Sequence, residues 1–176
     1  MPRTTNPIYA IGYSNLSISK FIELLKSHSI TMVADVRSIP KSRHQPDFNE
    51  DTIEETLKKN DIKYIHFKDL GGLREPSKES TLNNGWKNES FRGFADYMQT
   101  KKFEGALLKL IKMSDKDTIV LMCAEGNPFR CHRSLIADAL TVRGRKVYNI
   151  SGVNASSLHK LTWFAKVKES KITYPE

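Results

Sequence analysis

A chain of 176 residues with 39% hydrophobic content has room for one domain with a substantial core. No stretch stays apolar long enough to span a bilayer, and the opening residues lack the apolar run of a secretory signal, so a cytoplasmic protein with no membrane partner is expected. The net charge of +8, from 28 Lys and Arg against 20 Asp and Glu, favours an anionic partner, either nucleic acid or a phosphorylated small molecule.

In chain order, Ile8 to Ser14 reads as a first strand. A helix follows, with Ser17 as its N-cap and Ile18, Phe21, Ile22 and Leu25 on one face. Thr31 to Arg37 is a second strand with little alternation, as when both faces are covered. A second helix starts near Asn49 or Asp51, and Ile62 to Phe67 forms a third strand. The stretch from Lys68 to Ser90 is long and rich in Gly, Asn, Ser and Lys, which marks a functional or mobile loop. Helices are expected around Phe91 to Thr100 and Phe103 to Met113, then a fourth strand from Thr118 to Cys123. A helix from Ser134 stops at Gly144, and a fifth strand covers Lys146 to Ile150. Residues 155–176 are expected to form a last helix and a tail.

Strand and helix alternate almost throughout. That order predicts a single α/β domain over 1–176, with a mostly parallel sheet of about five strands and helices on both faces. Such sheets bind ligands beyond the carboxyl ends of their strands. The residues just past each expected strand are therefore the first candidates: Gly12 and Ser14, then Asp35, Arg37, Ser42 and Arg43, then Gly71 and Gly72, then Glu125, Arg130, Cys131, His132 and Arg133.

The turn after the fourth strand carries the densest chemistry. Gly126 and Pro128 shape it, and the helix that follows begins beside Cys131, His132 and Arg133. Unpaired N–H groups at that start favour an anion, and Arg133 adds a planar donor fork for phosphate. The alternative is that Arg133 pairs with Glu125 and braces the loop. Cys131 beside two arginines and a histidine is biased toward thiolate, or else is a small buried core thiol. Neither the phosphatase nor the rhodanese spacing of Cys to Arg is met from Cys123 or Cys131. Cys123 itself reads as core. With only two cysteines, no disulfide framework arises. Paired zinc spacing, the P-loop and the dinucleotide glycine pattern are missing too, so no metal and no cofactor are expected. After the second strand, Asp35 and Arg37 lie two residues apart and can point to one side, either as a catalytic carboxylate beside a phosphate binder or as a structural pair. Lys41, Arg43 and His44 suit a phosphate-tracking loop or a solvated basic one.

Taken together, "IGYSN", "ADVRSIPKSR", "YIHFKDLGG" and "CAEGNPFRCHRSLIA", extending through "KVYNI", resemble the family catalogued as domain of unknown function number four-eight-eight. The resemblance implies an α/β domain whose family residues map onto Asp35, Arg37, Pro40, Ser42, Gly71, Gly72, Glu125, Cys131, His132 and Arg133. It implies no settled reaction. The residues themselves favour an enzyme acting on a nucleotide or nucleic acid, DNA ahead of RNA. Asp35 and Glu125 would cleave an N-glycosidic bond as in base excision, His132 would relay a proton, and the arginines would hold phosphate. A non-catalytic nucleic-acid or phosphate binder and an enzyme dependent on Cys131 are the other two classes. The oligomeric state is not encoded in any feature read here.

Overall fold

A computed structural model describes residues 5–176. The N-terminal reading, in so far as it rests on Met1 to Thr4, lies outside the described residues. Six strands form one sheet in the order β3-β2-β4-β1-β5-β6. These are β1 (Ile8–Gly12), β2 (Met32–Asp35), β3 (Lys63–His66), β4 (Ile119–Cys123), β5 (Val147–Gly152) and β6 (Ala155–Leu158). The first five run parallel and β6 pairs antiparallel with β5. The central strands β2 and β4 are buried along their whole length, which accounts for their unbroken apolar runs.

Helices cover both faces. On one lie α1 (Ile18–Ser27) and α2 (Glu50–Lys59), which bury Phe21, Leu25, Ile53 and Leu57 against Val33, Val120 and Met122. On the other lie α3 (Glu89–Tyr97), α4 (Lys101–Met113) and α5 (Arg133–Thr141), which bury Phe94, Phe103, Leu107, Leu135 and Ile136 against Ala10, Ala34 and Leu121. Ser17 caps α1 by accepting from the Lys20 N–H at 3.1 Å, as the sequence predicts. Asn49 sits at the N-cap of α2, but its side chain accepts instead from the Ser42 N–H at 2.7 Å, which ties the preceding loop to the helix.

The chain leaves β1 toward β2 through α1 and leaves β4 toward β5 through α5, on opposite faces of the sheet. Since β1 and β4 are neighbours, their carboxyl ends part here and leave a crevice, the place where such sheets take ligands. Below the crevice the two strands stay linked: the Tyr13 and Ser14 N–H groups donate to the Cys123 and Ala124 carbonyls at 3.0 and 2.8 Å.

The C-terminal stretch corrects the sequence reading. Residues 155–176 contain β6 and a second, two-stranded sheet of β7 (Lys166–Lys168) and β8 (Lys171–Thr173), where a helix and a tail were expected. Leu158, Leu161 and Phe164 have helical spacing, but two turns override it. Asn154 takes a left-handed φ of 55° and folds β6 back on β5; Glu169, at 59°, does the same between β7 and β8. Asp138, buried in α5, then draws this segment in. It accepts from His159 Nε2 at 2.7 Å, Tyr174 Oη at 2.7 Å and the Thr162 N–H at 3.1 Å. The same segment pins the long 71–88 loop, because Asn83 accepts from the Tyr174 N–H and Gly85 donates to the Tyr174 carbonyl.

Candidate functional site

A cavity of about 360 Å³ opens at the β1–β4 crevice. Tyr13 and the backbone from Cys123 to Glu125 bring β1 and β4 to it, and Arg37 and Ser38 come from the end of β2. Gly72 and Leu73 come from the long loop, Phe91 from α3, and Arg130, Cys131 and His132 from the turn before α5. Of the sequence candidates, Arg37, Lys41, Gly72, Glu125, Arg130, Cys131 and His132 line this cavity.

The two thiols form its floor. Cys123 Sγ and Cys131 Sγ stand 2.6 Å apart. Around Cys131 Sγ lie His132 Nδ1 at 3.6 Å, Arg133 Nε at 3.3 Å and the Arg133 N–H at 3.5 Å. The far ring nitrogen of His132 is 2.8 Å from the Val36 carbonyl. A carbonyl only accepts, so Nε2 carries a proton, and Nδ1 is the ring nitrogen that faces the thiol. The hydrogen bond from Cys123 holds the Cys131 thiol well below the ordinary range; burial opposes this, while His132 and Arg133 add to it. Cys123 moves the other way, pushed up by the same hydrogen bond and by burial, so it is the partner that keeps its proton.

Arg133 is buried beneath the thiols. Its guanidinium donates to the Glu125 backbone carbonyl and to Cys131 Sγ. Burial alone would lower its pKa, but the charge on the facing thiols raises it, so it stays a cation. Arg133 thus braces the turn, though through the Glu125 backbone rather than its carboxylate, and it does not line the cavity. The Glu125 carboxylate accepts from the Asn127 N–H at 3.0 Å and remains exposed at the cavity mouth. Lys41 and Arg130 are exposed cations on the same rim.

Asp35 lies behind the wall. It is fully buried, accepts from the Arg37 N–H at 3.0 Å, Nε at 2.9 Å and Nη2 at 2.7 Å, and takes a fourth hydrogen bond from the Tyr64 hydroxyl. The third Arg37 nitrogen donates to Tyr13 Oη at 3.1 Å. Burial would lower the Arg37 pKa, yet the hydrogen bond and charge of Asp35 raise it above the usual arginine value. Burial, then the Asp35 hydrogen bond and charge, raise Tyr64 in turn. Every polar atom of this group faces another, which is the geometry of the structural Asp35–Arg37 pair.

The glycines matter by close approach. A Cβ on Gly72 would stand 2.6 Å from His132 Nδ1, and one on Gly12 would overlap the Glu125 carbonyl that Arg133 holds. Gly71 abuts Ser38, and Ser14 supports Gly126 from below the turn. Ser42 is tied to Asn49, and Arg43 is exposed away from the cavity. Among the described residues, no group of three His, Cys, Asp or Glu is placed to hold a metal.

Sequence reasoning passed over Tyr13, Ser38, Leu73 and Phe91; its reading of Cys123 as core holds, though Cys123 also borders the cavity. Tyr13 and Cys123 were within reach of the same rule that found the rest, since each lies at the carboxyl end of a site-forming strand. Phe91 carried no such signal, because it enters from a helix that packs over the crevice.

The family model described as Domain of unknown function DUF488 matches residues 17–140, and the chain belongs to that family. The match runs from the cap of α1 through almost all of α5 and so takes in the thiols, His132, Arg133 and Glu125. No curated protein and no solved structure matched the chain. Among the described residues, no helix is long and apolar enough to cross a membrane.

Proposed function

We propose that this protein is a thiol-dependent enzyme acting on a phosphorylated, base-bearing ligand, a nucleotide or a nucleic acid. The observation that carries the reading is the setting of Cys131: a thiol on the cavity floor, fixed between a donating thiol, a histidine ring and a buried arginine. His132 takes the thiol proton and Arg133 balances the resulting charge. Cys123 donates to the sulfur and keeps the charge localised until an electrophilic carbon of the ligand arrives. The sulfur then bonds to that carbon as the bond to the leaving group breaks, and His132 returns the thiol proton it holds to that leaving group. Lys41 and Arg130 on the rim suit phosphate, while Leu73, Ile39 and Phe91 give the apolar walls a base needs. Chemistry of this kind needs Cys131 reduced, in keeping with a cytoplasmic setting.

One observation favours a second reading. Glu125 is the carboxylate that lines the cavity, so hydrolysis of an N-glycosidic bond of a modified base would rest on Glu125 and not on Asp35. Mass spectrometry separates the two. The protein is incubated with nucleotides and with oligonucleotides that carry modified bases. A covalent adduct mapped to Cys131, absent from Cys131→Ser, is the expected result. Free base released equally by wild type and Cys131→Ser, but not by Glu125→Gln, would select the glycosidic reading and overturn the thiol.

A further inference from the structure

The C-terminal stretch carries a surface that the Cys131 cavity does not use. Trp163 is 91% exposed, more than any other large hydrophobic side chain among the described residues. It lines a second cavity with Lys87, Phe164 and Lys166. The indole is not loose: Phe164 meets it edge to face at 5.2 Å, Trp86 meets Phe164 at 4.8 Å, and Phe91 meets Trp86 at 5.0 Å. Phe91 is also a wall of the Cys131 cavity, so ring-to-ring packing links the two cavities.

The neighbouring β7–β8 hairpin supplies charge. Its pairs are Lys166 with Thr173, Val167 with Ile172, and Lys168 with Lys171. Side chains alternate along a strand and cross-strand partners share a face, so Lys166, Lys168 and Lys171 stand on one side. Ile172, on the other, is buried. The lysine face is therefore the outer one. Lys168 and Lys171 lie directly opposite each other, a like-charge pairing that costs stability. None of the three lysines forms an ion pair among the described residues, whereas Lys87 is matched by Glu176 at 2.7 Å. Lys166 shares the Trp163 cavity and begins a row of lysines without ion pairs among the described residues, an arrangement that fits an extended polyanion with flat faces of its own.

We propose that Trp163 and the lysine face of the β7–β8 hairpin bind a single strand of nucleic acid, with one base stacked on the indole and the phosphates following Lys166, Lys168 and Lys171. A duplex hides its base faces, and an acidic peptide would use the lysines but leave the ring idle. The inference deepens the reading of a nucleotide or nucleic-acid substrate and rests on it, because Phe91, a wall of the Cys131 cavity, packs through Trp86 and Phe164 to Trp163.

The test is a fluorescence titration with a short oligodeoxythymidylate. The two tryptophans make it readable, since Trp86 packs among Phe91, Phe164 and Tyr174 while Trp163 faces water. Wild type should show quenching that weakens with salt. Trp163→Ala, followed by the anisotropy of a dye-labelled strand, should bind about tenfold more weakly, the scale of one stacked base. Replacing all three lysines by Gln should lower the slope of log affinity against log salt by about 2. Thermal melts establish that these exposed variants remain folded. Unchanged affinity in both variants, or no binding at low salt, would overturn the proposal. So would a dimer in sedimentation that Trp163→Ala dissociates without changing strand affinity, which would make a second copy the occupant. Adduct formation at Cys131 is scored separately by mass spectrometry, so a missing adduct with intact strand binding sinks the thiol chemistry alone, and lost strand binding with an intact adduct sinks this surface alone.

Discussion

Cys123 Sγ lies 2.6 Å from Cys131 Sγ, across a turn that leaves the sheet at one residue and enters α5 just after the other. The two side chains face each other directly, so one can donate to the other, and the surroundings decide which keeps its proton. His132 and Arg133 face Cys131, so the negative charge settles there.

The first expected outcome is a change in acid reactivity when Cys123 is replaced. Cys131 is held below the ordinary thiol range, so the folded protein should be alkylated by iodoacetamide at Cys131 under mildly acidic conditions, where free thiols are inert. Cys123→Ala removes the largest of the lowering effects and should move the alkylation profile to higher pH; Cys123→Ser keeps a donor and should move it less. The linked stability has a definite sign. An unfolded chain carries the Cys131 proton where the folded chain does not, so wild-type stability should rise with pH from the folded value up to the ordinary thiol range and be lost as pH falls. Cys131→Ser should flatten that rise. Peptide mapping of the alkylated protein and urea titrations at several pH values measure both effects. An alkylation profile identical in wild type and Cys123→Ala would mean that Cys123 does not tune its neighbour.

Asp35→Asn is expected to act on stability before it acts on chemistry. Asp35 and Arg37 are 0% and 6% exposed, and the carboxylate is matched by four donors. Removing its charge leaves Arg37 buried without a counterion, a change that typically costs about 3–5 kcal/mol. Chemical denaturation measures it. A variant as stable as wild type yet inactive would return Asp35 to the reacting groups.

Much of this arrangement was legible in the residue order, and the parts that were not share a cause. Alternating strand and helix patterns determine the layered sheet, and the carboxyl-end rule led to Arg37, Glu125, Cys131 and His132 because it needs only the chain positions of strand ends. The Asp35–Arg37 pair was readable from its two-residue spacing, but not the part of Tyr13 and Tyr64, which come from other strands and complete its hydrogen bonding. The thiol pair was hidden because fixed Cys-to-Arg offsets describe other turns. Here a turn stiffened by Pro128 carries the chain from Cys123 back to Cys131, and linear spacing does not report a return path. The C-terminal strands were missed because apolar spacing at Leu158, Leu161 and Phe164 matches a helix, while their actual placement depends on Asp138, a residue of α5.

The last expectation concerns Gly72, which reaches the thiol through the histidine ring. A methyl group at this position would meet His132 Nδ1 at 2.6 Å and Cγ at 2.8 Å, closer than any stable contact. The neighbour is a ring anchored through Nε2 to the Val36 carbonyl, so it cannot give way without losing that bond or its position over Cys131. Gly72→Ala should therefore slow alkylation of Cys131 in mild acid. Removing a positioned base outright typically costs about 10²–10⁴-fold, and displacing the ring should cost less, about tenfold. The natural control is Gly105, which lies in α4 with nothing within 4 Å of its would-be Cβ. Gly105→Ala should leave the thiol untouched and raise stability by up to about 1 kcal/mol through helix propensity. Alkylation kinetics and thermal melts on both variants decide the matter. If Gly72→Ala is as reactive as wild type while the melts show both variants folded, the position of the His132 ring does not control the thiolate, and Arg133 and Cys123 hold the charge without it.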